Sequence, residues 1–150
     1  MSKTKTMRAL SVKQPWAFWI ATGQKTVEMR SWKTDYRGPI LICASAQRDG
    51  DFDKLDPEYF PLGCAICVVT LTDIVPMTAA MADAAMPYDD NSDCKDEDFT
   101  GYGWFLSEPK VICPPFPVKG KLHFYDVEIP PETEIIPSDD YFIFEDEKEN

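Results

Sequence analysis

Histidine occurs once in these 150 residues, as His123, and glycine only seven times. One histidine leaves no His–His acid–base pair, and no second C-x-x-C joins Cys64 and Cys67 as a zinc set. No apolar run approaches the roughly 20 residues that span a bilayer. The start, Met1 to Met7, is charged with no apolar stretch behind it, so no secretory signal is readable. Few glycines beside 13 prolines exclude collagen and a long Gly/Ser linker, and no repeat is visible. The five cysteines are odd in number, so reduced core thiols in a soluble cytoplasmic protein are expected, with no metal and no cofactor. Cys64 and Cys67 themselves fall in an apolar strand, where a period of two turns them to opposite faces.

The apolar share of 44% and the aromatic share of 13% describe a folded chain long enough for one domain. The net charge of −11 argues against a polyanionic partner until its distribution is followed. Residues 1–48 carry nine Lys/Arg against Glu28 and Asp35. Residues 49–98 carry 13 acids against Lys54 and Lys95, and residues 126–150 carry ten against Lys148. Polyanion binding needs a local basic patch more than a basic whole. The same charges equally suit separate solvated surfaces.

A short strand is expected at 7–13 and a helix at about 14–22, opened by Pro15 and closed by Gly23, with Trp16, Trp19 and Ile20 on its packed face. Residues 25–32 alternate as a strand, with Glu28, Arg30 and Trp32 on one face. After a turn at Arg37–Pro39, Ile40–Ser45 reads as a nearly continuous apolar strand. A loop over 47–62, a strand over 63–76, a short helix over 77–86 and an acidic loop over 87–98 follow. Strands are expected at 101–107, 110–118 and 120–128, the last two joined around Lys119–Gly120. These elements predict an α+β fold built on a small barrel of about six strands with short flanking helices.

Three ordered motifs resemble one family. Leu10–Ala17, Gly23–Trp32 and Tyr36–Ser45 look like an ASCH domain of the PUA-like superfamily. The family pattern G-x-K-x-x-E-x-R falls on Gly23, Lys25, Glu28 and Arg30, and R-G…I-x-A-S falls on Arg37, Gly38, Ile42, Ala44 and Ser45. Gly101–Leu106 and Pro117–Lys121 also look like it, so the domain is expected over 1–128. Residues 129–150 are left as an acidic tail whose patch Tyr141–Phe144 docks by burial. Docking is expected to carry Asp139, Asp140 and Glu145 to the surface, where they can lie across the basic residues 1–48 as an internal competitor for an anionic ligand.

The resemblance implies a ligand cleft beside the helix and the K-x-x-E-x-R strand, and an RNA, single-stranded nucleic acid or modified nucleoside partner. The residues expected to bind are Lys25, Thr26, Glu28, Arg30, Trp16, Trp32, Arg37 and Ser45. Lys and Arg suit phosphate, a carboxylate accepts from a base edge, and tryptophan stacks on bases. Glu28 and Arg30 can instead merely pair on a strand face, and each tryptophan can be core.

The resemblance also implies an alternative, an amidohydrolase acting on N4-acetylcytidine through a Lys–Thr–Glu set, or a ribonuclease. Lys25 falls on the family lysine, but Glu28 stands where the threonine belongs, and Thr26 is at the wrong offset. The glutamate would come from 77–98. In an enzyme, Lys25 and Glu28 would be the catalytic pair.

Overall fold

The computed structural model describes residues 5–47, 50 and 55–142. Strand β1 (Lys5–Val12) turns Leu10 and Val12 to one side and Ala9 to the other, as a pleated backbone requires. Strand β3 (Gly38–Ala44) divides likewise, with Ile40, Ile42 and Ala44 joining Leu10 in one core and Leu41 and Cys43 joining Ala9 in the second. Burial on both faces is why its sequence is almost unbroken apolar.

β1 and β3 run parallel, with Leu10 opposite Ile42, and a parallel pair needs a crossover. Helix α1 (Trp16–Thr22) and strand β2 (Val27–Arg30) lie in that crossover. The helix ends at Gly23, whose φ of 85° is left-handed and whose N–H donates to Ile20. Its fully buried face is Ala17, Ile20 and Ala21, while Trp16 and Trp19 are half-buried. Gln14, itself buried, accepts from the Phe18 N–H through Oε1 at 2.9 Å and donates through Nε2 to the Pro61 carbonyl at 3.0 Å. Pro15 offers no side-chain cap, so Gln14 caps the helix from one residue earlier.

Strand β4 (Cys64–Pro76) pairs with β3, and the 16-residue strand β5 (Tyr102–Pro117) pairs with β4 along most of its length. The expected break between two strands near Glu108–Pro109 is only a local irregularity, with Glu108 at φ 52°. Strand β6 (Tyr125–Ile129) pairs antiparallel with β1, so the join around Lys119–Gly120 is a longer connection, residues 118–124, that carries the chain across the sheet, and the last strand starts at Tyr125 rather than at 120. Helix α2 (Ala82–Ala85) follows a 3-10 turn at Ala79–Met81, inside the segment expected to be helical.

The sheet has seven strands and is not a barrel. Its path runs β2-β5-β4-β3-β1-β6, with β7 (Glu134–Pro137) also on β5. Closure would require the two ends to hydrogen-bond to each other. Instead the first half of β5 holds β2 and the second half holds β7, while β6, among the described residues, bonds only to β1. The mixed α+β class stands; the six-stranded barrel is replaced by an open sheet.

Cys64 and Cys67 do not face opposite ways. A register shift between Ala65 and Cys67 interrupts the period of two, and both Cys64 and Cys67 pack in the same core. Burial pushes both thiols up, and Cys43 up to about 11, which suits inert core groups.

Beyond β6, helix α3 (Ser138–Tyr141) is tied to α1 by the buried Ser138 hydroxyl, which donates to the Ala21 carbonyl at 2.6 Å. Phe142 packs edge-on against Phe18 at 5.9 Å, and Ile143, Phe144 and Glu145 lie outside the described residues. Asp139 lines a pocket together with Glu108 and Lys110.

One glycine bears directly on β2. Gly101 has φ 77°, and a Cβ there would stand 2.6 Å from the Arg30 carbonyl oxygen. Gly101→Ala is expected to lose about 2 kcal/mol from the left-handed conformation and the backbone contact together, read as a lower urea midpoint with unchanged slope.

Candidate functional site

The end of β1, the first turn of α1, β2 and the end of α2 surround a cleft of about 420 Å³. Lys25, Glu28 and Arg30 form one wall, Trp16 and Lys13 another, and Ala85 and Met86 a third. Ser11 and Ser45 complete the rim. The Ser45 N–H donates to the Val12 carbonyl at 2.9 Å, so the rim is pinned where β1 and β3 end.

Lys25 is not a surface cation. It is 4% exposed, and its Nζ donates to the carbonyls of Val27 and Ala85, each at 2.6 Å. The same nitrogen lies 3.4 Å from Glu28 Oε1 and 5.4 Å from the centre of the Trp16 ring. A protonated lysine has three donors, and the two carbonyls and the carboxylate account for them. Burial pulls its pKa below the ordinary 10.5, opposed by Glu28 and assisted by the nearby Arg30.

Glu28, 8% exposed, is shared between two cations. Its Oε2 accepts from Arg30 Nε at 3.1 Å and lies 2.8 Å from Arg30 Nη2. Arg30 Nη2 also donates to the Ser11 carbonyl at 2.6 Å, which joins β2 to β1 across the cleft. Lys25, Glu28 and Arg30 are therefore a cation–anion–cation chain with a net charge of one positive. Arg30 is its accessible end, with 22% of its side chain exposed. Alternation on β2 brings Glu28 and Arg30 to one face, opposite Trp104 and Tyr102 of β5.

The structure brings Lys25, Glu28, Arg30, Trp16 and Ser45 into one cleft. Thr26, Trp32 and Arg37 do not line it. Thr26 is exposed, and its backbone bonds to Ala84 and Leu106. Trp32 meets Trp104 at 4.7 Å and Phe124 at 5.3 Å, and its carbonyl accepts from the Trp104 indole. Arg37 donates to the carbonyls of Thr34 and Tyr36 and lies 3.9 Å from Asp73. The strand period places Trp32 with Arg30, but β2 ends at Arg30 and the alternation ends with it.

Sequence reasoning missed Ser11, Lys13, Ala85 and Met86. Ser11 and Lys13 stand beside the motif that supplies Trp16, which is the signal that could have found them. Ala85 and Met86 carry no polar signal, and their segment is tied to the cleft by the Lys25 Nζ bond to the Ala85 carbonyl and the Thr26 N–H bond to the Ala84 carbonyl. Ser11 Oγ shares a 2.6 Å hydrogen bond with the Tyr125 hydroxyl, and burial pushes Tyr125 up to about 12.

Among the described residues no group of three or more His, Cys, Asp or Glu is placed to hold a metal ion. No described helix is long and apolar enough to cross a membrane.

The family model of the ASCH domain matches residues 10–116. Human (Homo sapiens) activating signal cointegrator 1 is 29% identical over 126 residues, covering 74% of this chain and 20% of that protein. The mouse (Mus musculus) protein of the same name is 28% identical over the same length. The chain thus spans about one fifth of the curated relatives it matches. Among solved structures, an ASCH protein from Zymomonas mobilis superposes with a TM-score of 0.50 at 18% identity, covering 75% of this chain and 72% of that one. A serine-to-alanine mutant of the Zymomonas mobilis protein superposes at 0.52 and 16% identity, covering 82% of this chain and 87% of that one.

Proposed function

The chain belongs to the ASCH domain family, and from that membership and its cleft we propose that it is a binding module for single-stranded nucleic acid or a modified nucleoside. The observation that carries this reading is the pairing, in one cleft, of a half-buried tryptophan with a partly exposed arginine. The Trp16 ring offers an apolar face for a base, and Arg30 and Lys13 offer charge to a phosphate. Lys25 contributes by holding the cleft's shape and charge, since its donors are used internally.

The same groups favour binding over turnover. A deacetylase needs a hydroxyl nucleophile with a base, or a carboxylate positioned to activate water. Both carboxylate oxygens of Glu28 face cations, and no second carboxylate is among the described residues lining the cleft. The two rim hydroxyls are engaged, Ser11 with Tyr125 and Ser45 with the Gln47 N–H.

Calorimetric titration with a nucleoside panel that includes N4-acetylcytidine tests the reading. Trp16→Ala is expected to weaken binding about 5- to 150-fold, the equivalent of about 1–3 kcal/mol of lost stacking. Unchanged affinity in a folded variant would remove Trp16 from the site. Hydrolysis of N4-acetylcytidine by the wild type would replace the binding reading with the enzymatic one.

A further inference from the structure

A second groove, of about 450 Å³, adjoins the cleft. Ser11 and Ser45 line both, so the two share a rim. The far side of the groove is the crossing between β5 and β6, which presents Lys119, Lys121 and Leu122. All three are exposed, Leu122 to 89%.

The crossing is held against the cleft at one point. A Cβ on Gly120 would stand 2.8 Å from Ser11 Oγ. Only a residue without a side chain lets the backbone approach so closely. The two lysines are thereby fixed on either side of the Ser11 contact, while the Ser11 carbonyl holds Arg30.

The opposite side of the cleft has the opposite charge. Ala85 and Met86 lead into the loop over 87–98, where Asp89, Asp90, Asp93, Asp96, Glu97 and Asp98 are exposed. A phosphodiester chain leaving the cleft on that side meets repulsion, and one leaving over the groove meets lysines.

We propose that the ligand is a single-stranded polynucleotide that ends in the cleft: one nucleotide lies between Trp16 and Arg30, and the following phosphates cross Ser11 and Ser45 onto Lys119 and Lys121. The proposal rests on the nucleotide reading of the cleft and narrows it to a strand. Leu122, exposed beside Lys121, supplies an apolar contact for a base leaving the groove.

Calorimetry on the full chain and on Lys119→Ala/Lys121→Ala, with a mixed-sequence RNA hexamer and with cytidine 5′-monophosphate, tests it. The wild type is expected to bind the hexamer more tightly than the mononucleotide. The double variant should lose about tenfold in hexamer affinity at ~50 mM salt and keep its mononucleotide affinity. Its log–log salt slope for the hexamer should be shallower by about 1.4, the release expected from two phosphates of a single strand. If the mononucleotide binds but the hexamer is indifferent to the double substitution, the groove carries no strand and the nucleotide reading alone survives. Equal losses for both probes would make the lysines part of the cleft's field and overturn the path over the groove. Binding of neither probe to the wild type would overturn the nucleotide reading and this proposal with it.

Discussion

Glu28→Ala is expected to destabilise the protein by about 3 kcal/mol and to abolish ligand binding by whatever remains folded. Removing one partner of a buried ion pair leaves the other charge uncompensated, at about 3–5 kcal/mol. Here two cations lose their shared anion. Arg30 can turn toward solvent through its exposed end, which places the effect at the lower end of that range. Lys25, 4% exposed and bonded to two carbonyls, cannot. Urea denaturation at neutral pH measures the loss.

Glu28→Gln keeps the volume and exposes the electrostatic part through its pH dependence. Lys25 in the folded wild type sits below 10.5, and Glu28 is the influence that holds it up against burial. Without that carboxylate the folded pKa falls further, while the unfolded value stays near 10.5. Between the two values the unfolded chain binds more protons, so stability rises with pH across that window. Below the folded pKa the ammonium is charged in both states and its burial penalty is complete. Denaturation midpoints of Glu28→Gln should therefore recover toward wild type as pH is raised to about 10, and decline again relative to it on return to pH 7. A constant deficit over that range would show that Lys25 does not titrate against its burial.

Lys25→Met is the second large effect, expected at about 2–3 kcal/mol. The substitution fills similar volume and leaves Glu28 paired with Arg30, so no bare charge results. It does strand the carbonyls of Val27 and Ala85 in a buried place, and an unmade buried hydrogen bond costs about 1–3 kcal/mol. Those two bonds also hold α2 against β2. The cleft wall at Ala85–Met86 should loosen, visible as faster amide exchange at Met86, whose N–H donates to the Ala82 carbonyl. Wild-type stability of Lys25→Met would make the lysine a ligand group rather than a structural tie.

Most of the strands were legible because they follow simple alternation or long apolar runs, as in β1, β3 and β4. Helix α1 was legible from Pro15, the spacing of Trp16, Trp19 and Ile20, and Gly23. The open sheet was not legible, because closure depends on which edges pair. Nothing local in Glu134–Pro137 announces that it pairs with Cys113–Lys110. The single long β5 was not legible either, because the irregularity at Glu108–Pro109 sits inside a strand that continues to Pro117.

At the site, spacing on β2 placed Glu28 beside Arg30, and the motif placed both beside Trp16. Spacing could not give depth. Lys25 reads as an exposed phosphate donor in any local window, yet the carbonyl of Ala85, 60 residues away, makes it internal. Trp32 and Arg37 sit near the motif in sequence and away from the cleft in space, because the chain turns after Arg30.

Whether the cleft over the Lys25–Glu28–Arg30 chain takes a nucleotide is decided by titrating the ¹⁵N-labelled full chain with cytidine 5′-monophosphate and following NMR shifts. Saturable shifts of the Trp16 indole N–H, the Arg30 Nε–H and the Met86 amide, with a common dissociation constant, are expected. Saturable shifts confined to residues outside the cleft, with those three signals unmoved, would contradict nucleotide binding in the cleft.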